Sequence, residues 1–418
     1  MNKKIFTAAD VLLPYNTASN KDWNAWSVIA CDQFTSEPEY WEECAKNAEG
    51  KASTYNFILP EAYLSTDKEA AHNAVIADSM KKADSLIPCG IDNTLVYIER
   101  TLPDGSVRTG IIGKVDLEEY DYNKGSTSAI RATEATVLER IPPRCAIRAA
   151  ASVELPHVML FGDEKWSWVI GEVKDALRHA DDVTKIYDFE LMQGGGHLVG
   201  YALAGEALAS AVEAIEYYED YRGGMNDSAV VYAVGDGNHS LAAAKAHFEN
   251  LKAELGDEAM SHPARYALVE IVSLGDSSIE FEPIYRLVKG CDTVALVDAF
   301  KSYAGNGSDG QTVTVITADS TETVTISDPA HALTVGSLQM FLDDYLKDNA
   351  GECDYIHGED TTERLAKADG CVGFIFDGME KSDLFGYVEA HGALPRKTFS
   401  MGAAKTKRYY TEARKIVK

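Results

Sequence analysis

The chain has 418 residues, 45% of them hydrophobic, and carries a formal net charge of −27 with seven cysteines. That length allows two or three domains around a substantial core, and so large an acidic excess opposes attraction to nucleic acid or to an anionic membrane surface. No apolar run approaches the ~20 residues of a spanning helix, the stretch from Met1 to Asp10 turns polar before a signal-peptide core forms, and the scattered cysteines offer neither a disulfide framework nor a C-x-x-C metal pair. The expectation is a cytoplasmic globular protein with no nucleic-acid and no membrane partner.

In chain order, residues 67 to 88 read as helix, and 93–100 with 107–115 alternate like paired strands around the turn Pro103-Asp-Gly105. Between Lys124 and Arg148 the segment is rich in Arg, Glu, Ser and Thr. There Arg131, Arg140, Arg144 and Arg148 offer guanidinium forks for phosphate or carboxylate, and Glu134, between Thr133 and Thr136, is a candidate base or metal ligand; an amphipathic helix with exposed ion pairs explains the same pattern. Strands are expected at 183–192, 197–203, 229–234 and 266–273, with helices at 205–219 and 240–256. Gln193-Gly-Gly-Gly-His197 sits between two of those strands, either as a flexible hairpin loop or as a close approach to a ligand with His197 at its lip.

The most informative stretch is Ala229-Val-Val-Tyr-Ala-Val-Gly-Asp-Gly-Asn-His-Ser240, followed by Leu241, Ala244, Phe248, Leu251 and Leu255 at helical spacing. This is a strand, a tight polar turn and a helix start. Gly235 and Gly237 permit the turn, Asn238 or Ser240 can cap the helix, and the first-turn N–H groups attract an anion. His239 adds a donor or proton carrier, and Asp236 a carboxylate that can orient it or hold a cation. The stretch is either a capped connection or a phosphate site. It has neither the P-loop lysine nor a G-x-G-x-x-G spacing, no H-E-x-x-H pair appears, and Ser240 lacks the G-x-S-x-G elbow of a nucleophile.

Past Gly290 the pattern restarts with helix 293–303, strands near 312–317 and 322–326, helices near 336–348 and 361–368, and an apolar strand from Cys371 to Phe376. The last stretch, Leu394 to Lys418, inverts the charge of the rest, and is either paired with the acidic surface or reaches an anion site through Lys397 and its neighbours.

Several segments together resemble the bacterial family known as domain of unknown function 1015. They are Ile29-Ala-Cys-Asp-Gln33, Tyr120-Asp-Tyr-Asn-Lys-Gly125, Ile130-Arg-Ala-Thr-Glu-Ala-Thr136, Gly235-Asp-Gly-Asn-His-Ser240, His262-Pro-Ala-Arg-Tyr266, Phe281-Glu-Pro-Ile-Tyr-Arg-Leu-Val288 and Leu394-Pro-Arg-Lys-Thr-Phe-Ser400. The Asp-Gly-Asn-His turn before a helix also resembles the ParB/sulfiredoxin-like superfamily, some of whose members are nucleotide-dependent kinases of free serine. The chain departs from the family pattern at Asn238 and Ser240, where His and Arg are commoner, and at Tyr285, beside the candidate Arg286, where His is.

The resemblance implies an α+β fold, with a ParB/sulfiredoxin-like mixed core over 1–290, an appended smaller α/β unit over 291–390 and a basic tail over 391–418 that packs back. It also implies a kinase-like phosphotransferase with a nucleotide, ATP or ADP, and a small hydroxylated substrate such as free serine; magnesium is expected on charge grounds alone. Gly235, Gly237, Asn238, His239, Ser240, Arg131 and Lys397 would hold the nucleotide, Glu134, Asp236 and His239 would act in catalysis, and Asp236 and Glu134 would ligate the metal. A non-catalytic nucleotide or anion sensor, and a metal-independent hydrolase using His239 and His197, are the competing expectations.

Overall fold

Alternation along the strands decides the architecture of the first 279 residues. Tyr97, Ile111, Val269 and Ile271 point into one core cluster, whereas their chain neighbours Val96, Ile98, Ile112 and Leu268 point into another. A sheet with apolar side chains on both faces must be covered on both, and this one is.

The computed structural model describes residues 4–136, 138–178 and 180–418. The chain divides into two compact units. The first comprises residues up to Ile279 together with Phe385–Ala393 and Ala403–Lys418, and the second comprises Glu280–Leu384 with Leu394–Gly402. The second unit therefore begins at Glu280, ten residues before the Gly290 restart of the sequence pattern, because the strand Phe281–Lys289 lies in its sheet.

Unit 1 is built on a ten-stranded mixed sheet. Its strands are β1 (Phe6–Thr7), β2 (Val96–Thr101), β3 (Val107–Asp116), β4 (Tyr120–Asp121), β5 (Ile130–Ala132), β6 (Met159–Gly162), β7 (Val183–Glu190), β8 (His197–Leu203), β9 (Tyr232–Asp236) and β10 (Tyr266–Ser273). They run in the order β7-β8-β2-β3-β10-β6-β9-β5-β4, with β1 beside β3. The hairpin expected around Pro103 is present, with Thr101 opposite Val107. One face is covered by helices Trp166–Ala176, Gly205–Gly223 and Asn238–Leu255, whose Trp166, Ile215 and Phe248 are buried in the first cluster. The other face is covered by the N-terminal segment through Trp23, Trp26 and Trp41 and by Tyr409, Tyr410 and Ala413 from the end of the chain.

Three expectations change. The Arg/Glu-rich segment is a strand at Ile130–Ala132 and a helix only from Ile141 to Ala149, because Ile130 and Ala132 are buried against β9 in parallel register. The region 67–88 breaks into Lys68–Lys81 and Ala83–Leu86. The glycines before His197 admit protein rather than a ligand, since a side chain at Gly195 would strike the Tyr409 ring and one at Gly196 the Thr101 carbonyl.

Unit 2 is mixed α and β around a sheet in the order Thr321–Ile326, Gln311–Ile316, Cys371–Phe376, Phe281–Lys289, Glu352–His357. Helices Thr293–Ala304 and Thr334–Asp348 contribute Phe300 and Leu338 to its core. Among the described residues no helix is long and apolar enough to cross a membrane.

Candidate functional site

The turn after β9 is shaped by two glycines with different tasks. At Gly235 the pairing of β9 with β6 shifts register, and a Cβ there would lie 2.7 Å from the Phe161 ring. Gly237 has φ +79° and caps the helix Asn238–Leu255 in the left-handed region, where a side chain would also press on Val158 at 3.0 Å. Asp236 folds back, its Oδ1 accepting the Gly237 N–H at 2.9 Å. The N–H groups of Ser240 and Leu241 return to the Gly237 carbonyl, each at 3.0 Å. Asn238 is only 7% exposed, and its carboxamide oxygen is buried with no hydrogen-bond partner.

Three distant segments close around this helix start, all within unit 1. Lys407 Nζ stands 3.5 Å from Asp236 Oδ2. The Ser240 hydroxyl lies 3.1 Å from His157 Nε2, and His157 Nδ1 lies 3.0 Å from the Tyr410 hydroxyl. The Tyr410 oxygen also accepts the Cys31 N–H at 3.2 Å, so His157 links the helix start to the Ile29–Gln33 segment. Next to Cys31 is Asp32. Burial alone would raise its pKa, but His157, a hydrogen bond from Gln33 and Lys407 outweigh that and hold the carboxyl below its ordinary value, so it is ionised at neutral pH.

Behind Lys407 the backbone is clamped by buried cations. Arg100 donates to the carbonyls of Lys405, Lys407 and Gly195, and both Arg100 and Arg108 donate to that of Thr406. Burial and neighbouring Arg108 depress the Arg100 pKa to about 9, and burial lowers that of Arg108 as well. Arg408 donates to Glu270 at 2.8 Å and Glu412 at 2.7 Å.

The chain belongs to the family described as "Protein of unknown function (DUF1015)". The match spans residues 12–349. No curated protein matches it. Among solved structures it is similar to SbnI with a C-terminal truncation from Staphylococcus aureus at 10% identity and TM-score 0.36, covering 70% of this chain and 83% of that one. It is also similar to a free serine kinase (E30A mutant) in complex with AMP at 11% and 0.38, covering 73% and 90%, and to a conserved hypothetical protein from Pyrococcus furiosus at 10% and 0.35, covering 73% and 94%. At TM-scores this low the likenesses carry no argument about site or activity.

In this DUF1015 protein the residues singled out in the sequence fall into three groups. Asp236, His239 and Ser240, half-buried, with Gly235, Gly237 and Asn238, form the turn itself. Glu134 follows the strand next to β9: Ala132 pairs with Val234 in the parallel register, and Thr133 donates to the Val234 carbonyl at 2.6 Å.

Arg131 is a structural cation, donating to the Ser128 carbonyl at 2.9 Å and to that of Ser228. The Arg140 side chain lies outside the described residues.

Lys397 and Arg286 belong to unit 2, where Arg286 is fully buried and donates to the carbonyls of Ile284, Arg396 and Lys397. His197 is held at the β7–β8 edge by Asp188 at 2.8 Å and Glu190 at 2.9 Å. Burial would lower its pKa, but those two carboxylates raise it. It is five strand positions from β9, on the order of 24 Å along the sheet at ~4.8 Å per strand, so His197 and His239 do not form one acid–base pair.

Among the described residues no group of three metal-ligating side chains forms, and Asp236 is already engaged by Gly237 and Lys407. Sequence reading missed Asp32, His157, Lys407 and Tyr410 as members of the site. The signal that was present is the family-like segment Ile29–Gln33, which contains Asp32.

Proposed function

We propose that the helix start at Asn238 binds the phosphates of a nucleotide, ATP or ADP, and that the protein transfers a phosphoryl group to a hydroxylated small molecule. The observation that carries this reading is the unpartnered, buried oxygen of Asn238. A helix N-terminus with Lys407 and His157 beside it favours an anion, whereas an orphaned carbonyl oxygen calls for an O–H donor. A phosphate and a hydroxyl held at one point are the two reactants of phosphoryl transfer.

Within that reading His239 and Ser240 contribute donors to phosphate, and His157, within hydrogen-bond reach of Ser240, stands beside them. Glu134 or the ionised Asp32 receives the acceptor's proton, and Lys407 offsets charge on the transferring group. Magnesium would arrive on the nucleotide's own phosphates rather than on a prebuilt ligand set. Unit 1 is read as a ParB/sulfiredoxin-like core on the same ground, its strand–turn–helix at the phosphate position. Seven unpaired cysteines favour a reducing, cytoplasmic setting.

Titration calorimetry with ATP and ADP, followed by assay of nucleotide consumption with hydroxylated acceptors, tests the proposal. Binding with acceptor-dependent turnover supports it. Binding without turnover under any acceptor makes the protein a nucleotide sensor, and absence of binding removes the reading altogether.

A further inference from the structure

Beside the turn, wholly inside unit 1, lies a cavity of about 650 Å³ whose lining includes His157, Ser240 and Tyr410. We propose that this cavity takes the acceptor, and that the acceptor is a hydroxy monocarboxylic acid with an apolar body rather than a free amino acid. The inference rests on the phosphotransfer reading for the fate of the hydroxyl, but not for the occupancy of the cavity.

Size and lining come first. Cavities of roughly 300 to 1,000 Å³ enclose ligands of drug size, far larger than serine. The walls here are set by Leu59, Ile147, Val153, Leu241 and Leu268, and the helix leaving the turn adds the small side chains of Ala243 and Ala244 beside Leu241, which leave space that larger residues would fill. Transfer of an apolar body onto such walls is favourable by ~25 cal/mol per Å², while a small zwitterion would lose water without replacement contacts.

Charge comes second. Arg148, on the helix Ile141–Ala149, lines the cavity with a side chain only 14% exposed. Its Nη2 ion-pairs with Glu154 Oε2. Glu154 Oε1 is already shared by Arg414 Nε at 2.7 Å and the Leu268 N–H at 2.9 Å. Two guanidinium groups thus share one carboxylate, a surplus of one positive charge, and Arg148 Nε is buried with no partner. Nearby His247 does not change that balance, since burial and the adjacent Arg148 both lower its pKa. Of the other charged groups on the walls, Arg144 is paired with Glu61, and Glu69 and Glu139 are acidic and oppose a second negative charge on the ligand. One carboxylate, an apolar body and a hydroxyl reaching His157 and Ser240 satisfy all three regions. In the transfer, the hydroxyl oxygen bonds to the terminal phosphorus. The bond from that phosphorus to its bridging oxygen breaks, the electron pair stays on the shortened nucleotide, and the hydroxyl proton passes to the carboxylate beside the turn.

The test uses the full chain and four probes: octanoate, ω-hydroxyoctanoate, octanol and serine. By calorimetry without nucleotide, both acids bind, octanol binds at least about tenfold more weakly, and serine gives no heat. Arg148→Gln lowers octanoate affinity by about tenfold or more and leaves octanol unchanged, and Glu154 keeps Arg414 as its partner in that variant. Ile147→Trp, at a site 48% exposed and therefore tolerant of a larger ring, weakens both. With ATP, ω-hydroxyoctanoate yields a phosphorylated acid. No octanoate binding, or binding indifferent to both variants, overturns the assignment. Phosphorylation of serine without octanoate binding overturns the acceptor class and leaves the phosphotransfer reading intact. Octanoate binding as described with no affinity for ATP or ADP removes the phosphotransfer reading and leaves the cavity assignment standing.

Discussion

Single residues at the turn are where chemistry and conformation can be separated. His239 sits half-buried in the first turn of its helix, so His239→Ala removes a donor without opening the core. Nucleotide affinity is expected to fall by about 1.5–3 kcal/mol, the worth of a hydrogen bond to a charged group, while the melting temperature stays put. Unchanged heats of binding would take His239 out of the site. Glu134→Gln keeps shape and hydrogen bonding but removes a charge. Turnover is expected to drop by about 10²-fold, as for a lost general base, with affinity held within a few-fold; a fall in stability with full turnover would hand the role to Asp32. The turn was legible in the sequence because its strand, glycines and helix are contiguous, and each leaves a local signature. Asp32, His157 and Lys407 were not, since they reach the turn from remote segments and only the folded sheet brings them together.

At the scale of elements, two devices hold the sheet of unit 1 to what covers it. Glu219, on the helix Gly205–Gly223, accepts the N–H groups of Ile5 at 3.1 Å and Phe6 at 2.8 Å and the Tyr232 hydroxyl at 3.1 Å. Burial, only partly offset by those bonds, pushes its pKa up from 4.5 to about 7. A carboxyl whose pKa is raised on folding contributes stability that is complete below its unfolded value and is lost as pH rises through the folded one. Denaturant melts should therefore show stability falling from about pH 4.5 toward pH 7 on this account, and Glu219→Gln should flatten that slope relative to the parent. Equal slopes in the two proteins would contradict it.

The second device is the end of the chain. Its charge inversion suggested a tail laid on an acidic surface, but Tyr409, Tyr410, Ala413 and Ile416 are at most 3% exposed. Leu12 and Ala413 form a bridge, and Arg414–Lys415 pairs with Val153–Glu154. Of its cations, Arg408 and Arg414 are buried clamps, whereas Arg396 and Lys415 pair at the surface with Asp343 and Asp84, a division that net charge alone cannot disclose. Each large apolar side chain buried there is worth about 1.5–3 kcal/mol, against a total stability of about 5–15. Truncation after Gly392 is thus expected to abolish the cooperative melt of unit 1 rather than leave a folded core without ligand binding. A truncated protein with parental melting behaviour would refute that.

Across the whole molecule the chain passes between its two units at 279/280, 384/385, 393/394 and 402/403, and this interleaving is the part of the architecture that local patterns did not disclose. Periodicity located most helices and strands of unit 2, because each is a self-contained amphipathic run. It could not assign Phe281–Lys289 to the second sheet, since an apolar strand carries no mark of which sheet it joins, nor reveal that Leu394–Gly402 returns to that strand, with Phe281 opposite Met401. Arg286 makes the return necessary. Fully buried, it has burial depressing its pKa to about 10, and its fork is satisfied by Gln339 at 2.6 Å and by the carbonyls of Ile284, Lys397 and Arg396. A fragment of residues 280–384 would keep the first two of those partners and lose the last two, leaving donors unmet in the interior at a cost of about 1–3 kcal/mol each. Extending the fragment to residue 402 restores both carbonyls and the strand pairing. The longer fragment should accordingly melt cooperatively at a clearly higher denaturant concentration than the shorter one, and Arg286→Leu, which removes the buried charge together with its need for partners, should narrow the gap between them. Fragments of equal stability would mean that the returning segment is held by unit 2 without holding it in turn.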